Sequence, residues 1–472
     1  MTGRRAWARP IRVLCAVALA LVAGRGETPA SPGMPLLSHY AAAPFGTILV
    51  THPARPGGTV LFLSDANGVT GAEMTVAAAL SRRGMMVALL STPALMRALD
   101  AGPGCLNLNY PLIALSSDVQ HRMAVRTYAK PVIMGLGEGG ALAYASLSQW
   151  ARGSYAGILS IGYRPPVATS RPWCAVPGFT AQRDGRGWRF GPNPRISLPW
   201  VVLTPDGGGD AGVGRLVSAV PSARLATIAA ATDQWRAPVS AAVAAMLPHA
   251  LTRGQTGSLP IPDMPLTLVP ARPDPGTAGL MAILYSGDGG WVGIDHDVAG
   301  ALAAAGIPVV GVDSLSYFWT ARTPEGAAQD LSRLIEAFSR HWGRPQVLLV
   351  GYSFGADVMP AMVERLSPAG RARIARLSLL GLSKSADFQF HLASWLNVSS
   401  DEALPTLPAI ARLRGMAIQC VRGDEEEGSA CPAIAPGVAR QFLVPGDHHF
   451  NRNAPLLASI IMGRRAPGTV MD

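Results

Sequence analysis

The sequence lacks several features that define whole classes of protein. Its positive charge is scattered and Arg-rich, and no basic run is interleaved with aromatic side chains, so a nucleic-acid-binding surface is not expected. Only 15% of the residues are charged whereas 49% are hydrophobic, which argues against intrinsic disorder. With 472 residues and a formal net charge of +10, the chain is long enough for two or three packed domains.

Long hydrophobic runs are also missing, apart from VLCAVALALVAG at 13–24. This run is too short to span a bilayer comfortably. Arginines precede it and small residues and prolines follow it, which is the pattern of a secretory signal peptide. We therefore predict a signal peptide at 1–30 and an exported protein. An uncleaved N-terminal anchor is the alternative, and the Arg4-Arg5 pair leaves the twin-arginine route open.

Cysteine is scarce, and only four cysteines follow the apolar run. An even number in an exported protein suggests two disulfides. Cys420 and Cys431 are close in sequence, and Cys105 and Cys174 lie in the other half. Of the three pairings that four cysteines allow, we therefore predict Cys105–Cys174 and Cys420–Cys431, with free buried cysteines as the alternative.

The second half of the chain alternates between strand and helix patterns. Buried apolar runs typical of strands occur at 280–287, 307–313 and 346–353, and helical spacing occurs at 298–306 and 327–342. Regular alternation of this kind predicts an α/β fold with a mainly parallel sheet covered by helices on both faces.

The first half repeats the same order of patterns. The matching pairs are TVLFLSDANGV (59–69) with MAILYSGDGGW (281–291), MMVALLST (85–92) with IPVVGVDS (307–314), and PVIMGLGEGGA (131–141) with VLLVGYSFGAD (347–357). We therefore predict two tandem domains of the same fold, at 31–250 and 277–472. The Pro- and Thr/Ser-rich segment 251–276 is the predicted linker.

One short motif indicates chemistry. Residues 351–355 read Gly-Tyr-Ser-Phe-Gly and lie between a strand pattern and a helix pattern, which is the nucleophile elbow of an α/β-hydrolase. Ser353 is thus the predicted nucleophile. In the first half, Gly137 stands at the equivalent position and Glu138 follows it. The first domain is therefore predicted to be a degenerate α/β-hydrolase-like domain without a nucleophile of its own.

A serine nucleophile needs a base, and the base needs an orienting acid. In this fold both follow the serine, in the order acid and then histidine. Asp424 comes directly after the strand pattern 416–423 and is the predicted acid, although three glutamates follow it in the same loop. His448, after the next strand pattern, is the predicted base, with His449 as the alternative. Further ligands at metal-binding spacing are lacking, so neither a metal nor a cofactor is expected.

The oxyanion hole of such an enzyme uses backbone N–H groups. The first donor is predicted to be Phe354, the residue after the nucleophile. The second is predicted to come from the Gly-rich loop after the first strand of this half, at Gly287 or Asp288.

Four further side chains are candidates for substrate binding. Trp291 lies in the same Gly-rich loop, while Tyr317 and Trp319 follow the strand pattern that ends near residue 313. The latter two either line the pocket or belong to the core. Asp357 lies one helical turn after Ser353 and either pairs locally or receives a cation from the substrate.

Five motifs of the second half occur in one order: GDGGW (287–291), YFWxxRTP (317–324), GYSFGADVMP (351–360), Cys-x-x-Gly-Asp (420–424) and PGDHHF (445–450). This combination resembles the VirJ/AcvB family of bacterial periplasmic proteins. The resemblance implies an α/β-hydrolase fold, a serine nucleophile at Ser353 and a periplasmic location. The longer AcvB type also carries an additional N-terminal domain, as this chain does.

The resemblance implies two different functions. AcvB-like proteins are associated with hydrolysis of lysyl-phosphatidylglycerol, which releases lysine at the periplasmic face of the inner membrane. VirJ-like proteins are associated with type IV secretion, which would make this chain a non-enzymatic accessory. An aminoacyl ester suits a serine, a histidine and an oxyanion hole, so we expect the first function. A serine esterase acting on another ester remains the alternative, and the first domain is a candidate surface for a periplasmic protein partner.

Overall fold

A computed structural model describes most of the chain: residues 35–149, 154–207, 210, 212–250, 260–389, 403–464 and 470–471. The predicted signal peptide (1–30) lies outside the described residues. So does the stretch 251–259, the first part of the predicted linker. Among the helices that the structure does describe, none is both long and apolar enough to cross a membrane.

The described residues of the first half form eleven strands and six α-helices. The strands are β1 (Leu36–Ala42), β2 (Gly46–His52), β3 (Gly58–Leu63), β4 (Met85–Leu90), β5 (Val132–Leu136), β6 (Gly157–Ile161), β7 (Val167–Ala168), β8 (Ala181–Asp184), β9 (Gly187–Phe190), β10 (Trp200–Pro205) and β11 (Ala223–Ile228). The helices are α1 (Gly71–Arg82), α2 (Thr92–Asp100), α3 (Asn109–Arg122), α4 (Glu138–Gln149), α5 (Val213–Ser218) and α6 (Arg236–Met246).

The second half follows the same alternation. Its strands are β12 (Leu266–Val269), β13 (Leu280–Tyr285), β14 (Val309–Val312), β15 (Gln346–Tyr352), β16 (Ile374–Leu380), β17 (Ser385–Ala386), β18 (Leu404–Pro405), β19 (Ile418–Gly423), β20 (Arg440–Val444) and β21 (Val470–Met471). Its helices are α7 (Ile294–Ala304), α8 (Ser314–Tyr317), α9 (Pro324–Trp342), α10 (Phe354–Glu364), α11 (Pro368–Ala372), α12 (Thr406–Ala411) and α13 (Ala454–Ile461).

In the part of the chain that the structure describes, each half forms an eight-stranded sheet, and the two sheets correspond strand for strand over most of their width. The first has the order β1-β2-β4-β3-β5-β6-β10-β11 and the second β12-β14-β13-β15-β16-β19-β20-β21. Six neighbouring strands are parallel in each sheet. Val60 pairs with Val132 in the first sheet, and its counterpart Ala282 pairs with Leu348 in the second. The predicted α/β fold with duplicated halves is confirmed.

Strand β12 lies in the segment that we predicted to be a linker. It pairs antiparallel with β14, from Leu266 opposite Val312 to Val269 opposite Val309. Leu266 is buried in the core of the second half. The apolar residues of LTLV therefore add an edge strand to the second sheet, and this half begins earlier than the predicted boundary at residue 277.

Both predicted disulfides are present. Cys105 is bonded to Cys174, with their Cα atoms 4.8 Å apart, and Cys420 to Cys431, with their Cα atoms 5.6 Å apart. The first joins the segment before α3 to the loop between β7 and β8. The second closes the loop that follows β19.

The elbow of the first half keeps the backbone conformation of the second, but Asp65 fills the space that a side chain at Gly137 would need. Gly137 has a φ of +58°, close to the +51° of Ser353. A Cβ atom at Gly137 would lie 2.3 Å from Oδ1 of Asp65. Asp65 corresponds to Gly287 of the second half, so the first half has gained a carboxylate where the second half has open space. Arg164 pairs with this carboxylate.

We predict that Gly137→Ala destabilises the protein more than Gly185→Ala does. Gly185 has a φ of +59° but no atom within 4 Å of its missing Cβ, so its substitution costs only the left-handed backbone, about 1 kcal/mol. At Gly137 the contact with Asp65 adds about 1–3 kcal/mol of overpacking. Urea unfolding of the full-length protein measures the difference, and equal losses would contradict this account of the filled elbow.

Candidate active site

Ser353 stands on a strained turn between β15 and α10. Its φ of +51° is rare for a residue with a side chain. The two flanking glycines permit the turn: a Cβ at Gly351 would lie 2.4 Å from the carbonyl oxygen of Gly355, and a Cβ at Gly355 would lie 2.3 Å from that of Tyr285. The strand, turn and helix thus present the serine hydroxyl at the carboxyl end of the sheet, as in a nucleophile elbow.

Three side chains form a continuous hydrogen-bonded series at this edge. Ser353 Oγ lies 2.9 Å from His448 Nε2, and His448 Nδ1 lies 2.6 Å from Glu426 Oε1. Because the carboxylate can only accept, Nδ1 carries the proton and Nε2 accepts from the serine hydroxyl. The second oxygen of Glu426 accepts from the N–H of Gly423 at 3.0 Å. The arrangement is that of a serine hydrolase with glutamate as its acid.

The structure corrects the predicted acid. Asp424, the first residue after β19, turns toward the neighbouring loop, and its Oδ1 accepts from the N–H of Gly446 at 2.7 Å. Glu426 lies two residues further along and has the reach to contact the imidazole. Asp424 therefore fixes the histidine-bearing loop, whereas Glu426 contacts the histidine.

His448 and His449 point in different directions, as adjacent residues of a loop must. The Nε2 atom of His449 lies 2.8 Å from the hydroxyl of Tyr110, a residue of the first half. His448, and not His449, is the imidazole that meets Ser353. The alternative base considered from the sequence is therefore not in position.

The first half indicates where an oxyanion would bind in the second. There, Oδ1 of Asp65 accepts from the N–H of Ala66 at 2.8 Å and from the N–H of Glu138 at 3.0 Å. The residues that correspond to these two donors are Asp288 and Phe354. The first half thus holds a carboxylate oxygen between the N–H groups that would form the oxyanion hole of the second.

Gly287 is a weaker candidate donor than Asp288. Burial raises the pKa of Asp295 well above its usual value, and a hydrogen bond from the N–H of Gly287 opposes that effect. In the first half the two donors are Ala66 and Glu138, and their counterparts are Asp288 and Phe354, so the match favours Asp288 over Gly287 as the second donor. The absence of a side chain at Gly287 leaves space beside the elbow, since a Cβ there would lie 3.2 Å from Cε1 of Tyr352 and 3.5 Å from the Cβ of Ser353.

The site is strongly acidic. A cavity of about 850 Å³ opens over Ser353, and its carboxylates outnumber its Lys and Arg side chains, Lys384 and Arg452. The lining carboxylates are Asp288, Asp295, Asp357, Asp387, Glu425, Glu426, Glu427 and Asp447. This excess of negative charge favours a substrate that carries a positive charge.

Two of these carboxyls are held close to the reacting groups. Burial raises the pKa of Asp357 to about 8, against the hydrogen bond that its Oδ1 accepts from the N–H of Ser383 at 2.7 Å. Burial also raises the pKa of Asp288. For His448, burial lowers the pKa, but the contact with Glu426 and the charges of Asp288 and Asp357 outweigh it, and the pKa is raised.

The three aromatic side chains predicted to bind substrate do not line the cavity. Trp291 is buried beneath it, with its ring against Gly311, where a Cβ would lie 2.2 Å from a ring carbon. The hydroxyl of Tyr317 donates to Asp330 at 2.6 Å within the core. Trp319 donates from Nε1 to the carbonyl of Val125 at 2.8 Å. For Tyr317, core packing is thus the correct alternative, whereas Trp319 packs against residues of the first half.

Two contributors to the site were missed from the sequence. Tyr110 belongs to the first half, and nothing in its local pattern indicates a contact across the two halves. Tyr352, the residue before the nucleophile, lies with its ring 5.6 Å from that of His448. The elbow pattern leaves this position unspecified, so only the structure reveals its place.

Comparison with known proteins finds one family model that matches part of the second half, and several solved structures that resemble part of the chain. Residues 279–466 match the family described as Bacterial virulence protein (VirJ). No curated protein sequence matches the chain.

Several solved structures resemble part of the chain. They include Est1E from Butyrivibrio proteoclasticus (11% identity, TM-score 0.32, 42% of this chain and 91% of that one). A dienelactone hydrolase from Anabaena variabilis is similar to 46% of this chain over 99% of its own length, at 14% identity and TM-score 0.32. A thermophilic esterase from Thermogutta terrifontis covers 45% of this chain and 98% of itself, at 14% identity and TM-score 0.30.

We predict that Glu426→Gln lowers the pKa of His448 whereas Asp424→Asn leaves it in place. Glu426 raises this pKa through its hydrogen bond and its charge, so removing the charge lets the imidazole stay neutral to a lower pH. Titration of the imidazole nitrogen shifts by NMR measures both variants. A larger fall in the Asp424→Asn protein would return the orienting role to Asp424.

Proposed function

Residues 279–466 match the VirJ family, and on that similarity we propose that the protein is a periplasmic serine hydrolase of aminoacylated phospholipids. Its reaction is cleavage of the aminoacyl ester, most simply of lysyl-phosphatidylglycerol to phosphatidylglycerol and lysine. The observation that carries the proposal is the hydrogen-bonded series from Ser353 through His448 to Glu426, placed in an acidic cavity.

The chemistry follows from the geometry of this series. Ser353 Oγ attacks the ester carbonyl while His448 Nε2 takes its proton, and Glu426 stabilises the resulting imidazolium. The N–H groups of Phe354 and Asp288 stabilise the negative oxygen of the tetrahedral intermediate. His448 then gives the proton to the departing glycerol oxygen, which leaves an aminoacyl ester on Ser353. Water, activated by the same histidine, releases the amino acid.

The carboxyls beside the nucleophile suit an aminoacyl group. A lysyl ester carries ammonium groups, and Asp357 and Asp288 lie in the cavity with pKa values raised by burial. An ammonium that enters the cavity stabilises the ionised carboxylate, so binding of the substrate and loss of a proton from Asp357 are coupled. A neutral ester gains nothing from this coupling, which gives the site a means to distinguish charged from uncharged acyl groups.

We predict that Ser353→Ala reduces lysine release from lysyl-phosphatidylglycerol vesicles by about 10³-fold or more, because the acyl intermediate cannot form. Mass spectrometry of the released lysine measures the rate, and circular dichroism checks that the variant is folded. Undiminished release would exclude this serine as the nucleophile. No release by the unmodified protein, combined with hydrolysis of other esters, would indicate a different ester substrate.

We predict that Asp357→Asn raises KM for lysine methyl ester about 10- to 100-fold, the range expected for the loss of a charged hydrogen bond. The amide oxygen of asparagine can still accept from Ser383, so the turn is kept. Because the pKa of Asp357 is about 8, KM of the unmodified protein should fall as the pH rises through that value. The variant should lose this dependence. An equal change for methyl acetate, which has no amine, would argue against amine recognition.

A further inference from the structure

The active-site cavity is built from both halves of the molecule. Of the residues that the structure describes in the first half, four line the cavity beside the second-half residues: Asn107, Tyr110, Ile113 and Val176. We call these four residues the first-domain wall. Asn107 lies just before α3, Tyr110 and Ile113 lie in α3, and Val176 lies in the loop between β7 and β8. None of them is charged, whereas every charged residue that lines the cavity belongs to the second half.

The wall is held rigidly at its base. The Cys105–Cys174 disulfide joins the two segments, with Asn107 two residues after one cysteine and Val176 two residues after the other. Backbone hydrogen bonds reinforce the joint, from Leu106 N to the carbonyl of Pro172 at 2.8 Å and from Cys174 N to the carbonyl of Leu106 at 3.0 Å. The wall is therefore a fixed surface, fastened in the same way as the Glu426 loop beside the Cys420–Cys431 disulfide.

The wall also contacts the histidine loop directly. The hydroxyl of Tyr110 lies 2.8 Å from His449 Nε2, and the two rings are 5.3 Å apart. Tyr110 still exposes 37% of its surface, so its ring stands at the mouth of the cavity, where an incoming ligand can cover it.

A second contact fixes the two halves against one another. The ring of Trp319 packs on those of His121, at 3.6 Å between centroids, and Tyr128, at 5.2 Å. Its Nε1 donates to Val125. His121 lies on α3, the helix that also carries Tyr110 and Ile113. The position of the wall over Ser353 is thus set by packing at both ends of α3.

From this division of the cavity we infer that the first domain supplies the part of the active site that binds the apolar alcohol portion of the substrate. The inference rests on the proposed function. In an aminoacyl phospholipid the acyl group carries the charge and the alcohol carries the lipid. The second half offers carboxylates to the former, and the uncharged first-domain wall, with Tyr110 and Ile113 as its largest apolar members, faces the latter. Tyr110 is therefore a specificity-determining residue, although it belongs to the half that has no nucleophile.

The test uses two series of esters. Within each series the alcohol varies and the acyl group stays constant. Methyl and decyl esters of lysine are compared, together with methyl and decyl acetate, and the alcohol released is measured. For the unmodified protein we expect a higher kcat/KM for the decyl ester in both series. In Tyr110→Ala this preference should fall about tenfold, because ring area that would cover the chain is removed.

Two further variants distinguish a specific effect of the first-domain wall from a general loss of structure or activity. Tyr110→Phe keeps the ring and loses the hydroxyl that meets His449, so it should keep the decyl preference. Leu225→Ala removes another exposed apolar side chain of the first half, on β11 and outside the cavity lining, and should also keep it.

The possible failures are distinguishable. If the decyl preference is absent from the unmodified protein, or unchanged in Tyr110→Ala, the inferred role of the first-domain wall is wrong. Loss in Tyr110→Phe equal to that in Tyr110→Ala would show that Tyr110 acts only through His449, which also overturns it. By contrast, lysine esters cleaved no better than acetate esters would overturn the proposed aminoacyl substrate, while a decyl preference lost in Tyr110→Ala would still support the wall.

Discussion

The hydrogen bond between Ser353 and His448 joins two loops that are 95 residues apart in sequence. It forms because β15, β19 and β20 run parallel in one sheet, so that the loops after them, which carry Ser353, Glu426 and His448, meet at one edge of the sheet. The turn at Ser353 holds its backbone in a conformation that few residues adopt. The buried strands β13 and β16 lie on either side of β15. Their pairing with β15 holds the turn in place and so maintains the strained backbone of Ser353.

The first half shows the same fold after its chemistry has been replaced. Asp65 occupies the space over Gly137, and its carboxylate accepts from the two N–H groups that would otherwise stabilise an oxyanion. Burial raises the pKa of Asp65, but these hydrogen bonds and Arg164 outweigh burial, so the pKa is lowered. The carboxylate of Asp65 therefore occupies the position that an oxyanion would take, and this elbow has only a structural role. The first half nevertheless forms one side of the cavity over Ser353.

The sequence was informative where one residue type or one spacing has a single physical explanation. The duplicated sheets follow from repeated apolar runs, the elbow from its glycines, and both disulfides from the positions of the four cysteines. It was misleading where the outcome depends on a short loop. Asp424 and Glu426 both follow β19, and only the path of the loop sends one to Gly446 and the other to His448. Contacts between the halves, such as those of Trp319 and Tyr110, leave no local pattern.

The central claim is that a single activated serine, in the second half, carries the chemistry. Reaction of the full-length protein with a fluorophosphonate probe, followed by intact-mass measurement and peptide mapping, tests it most directly. The account predicts one adduct, on Ser353, whose rate of formation falls steeply in Glu426→Gln. No adduct under conditions in which the protein is folded, or an adduct on a residue of the first half, would contradict it.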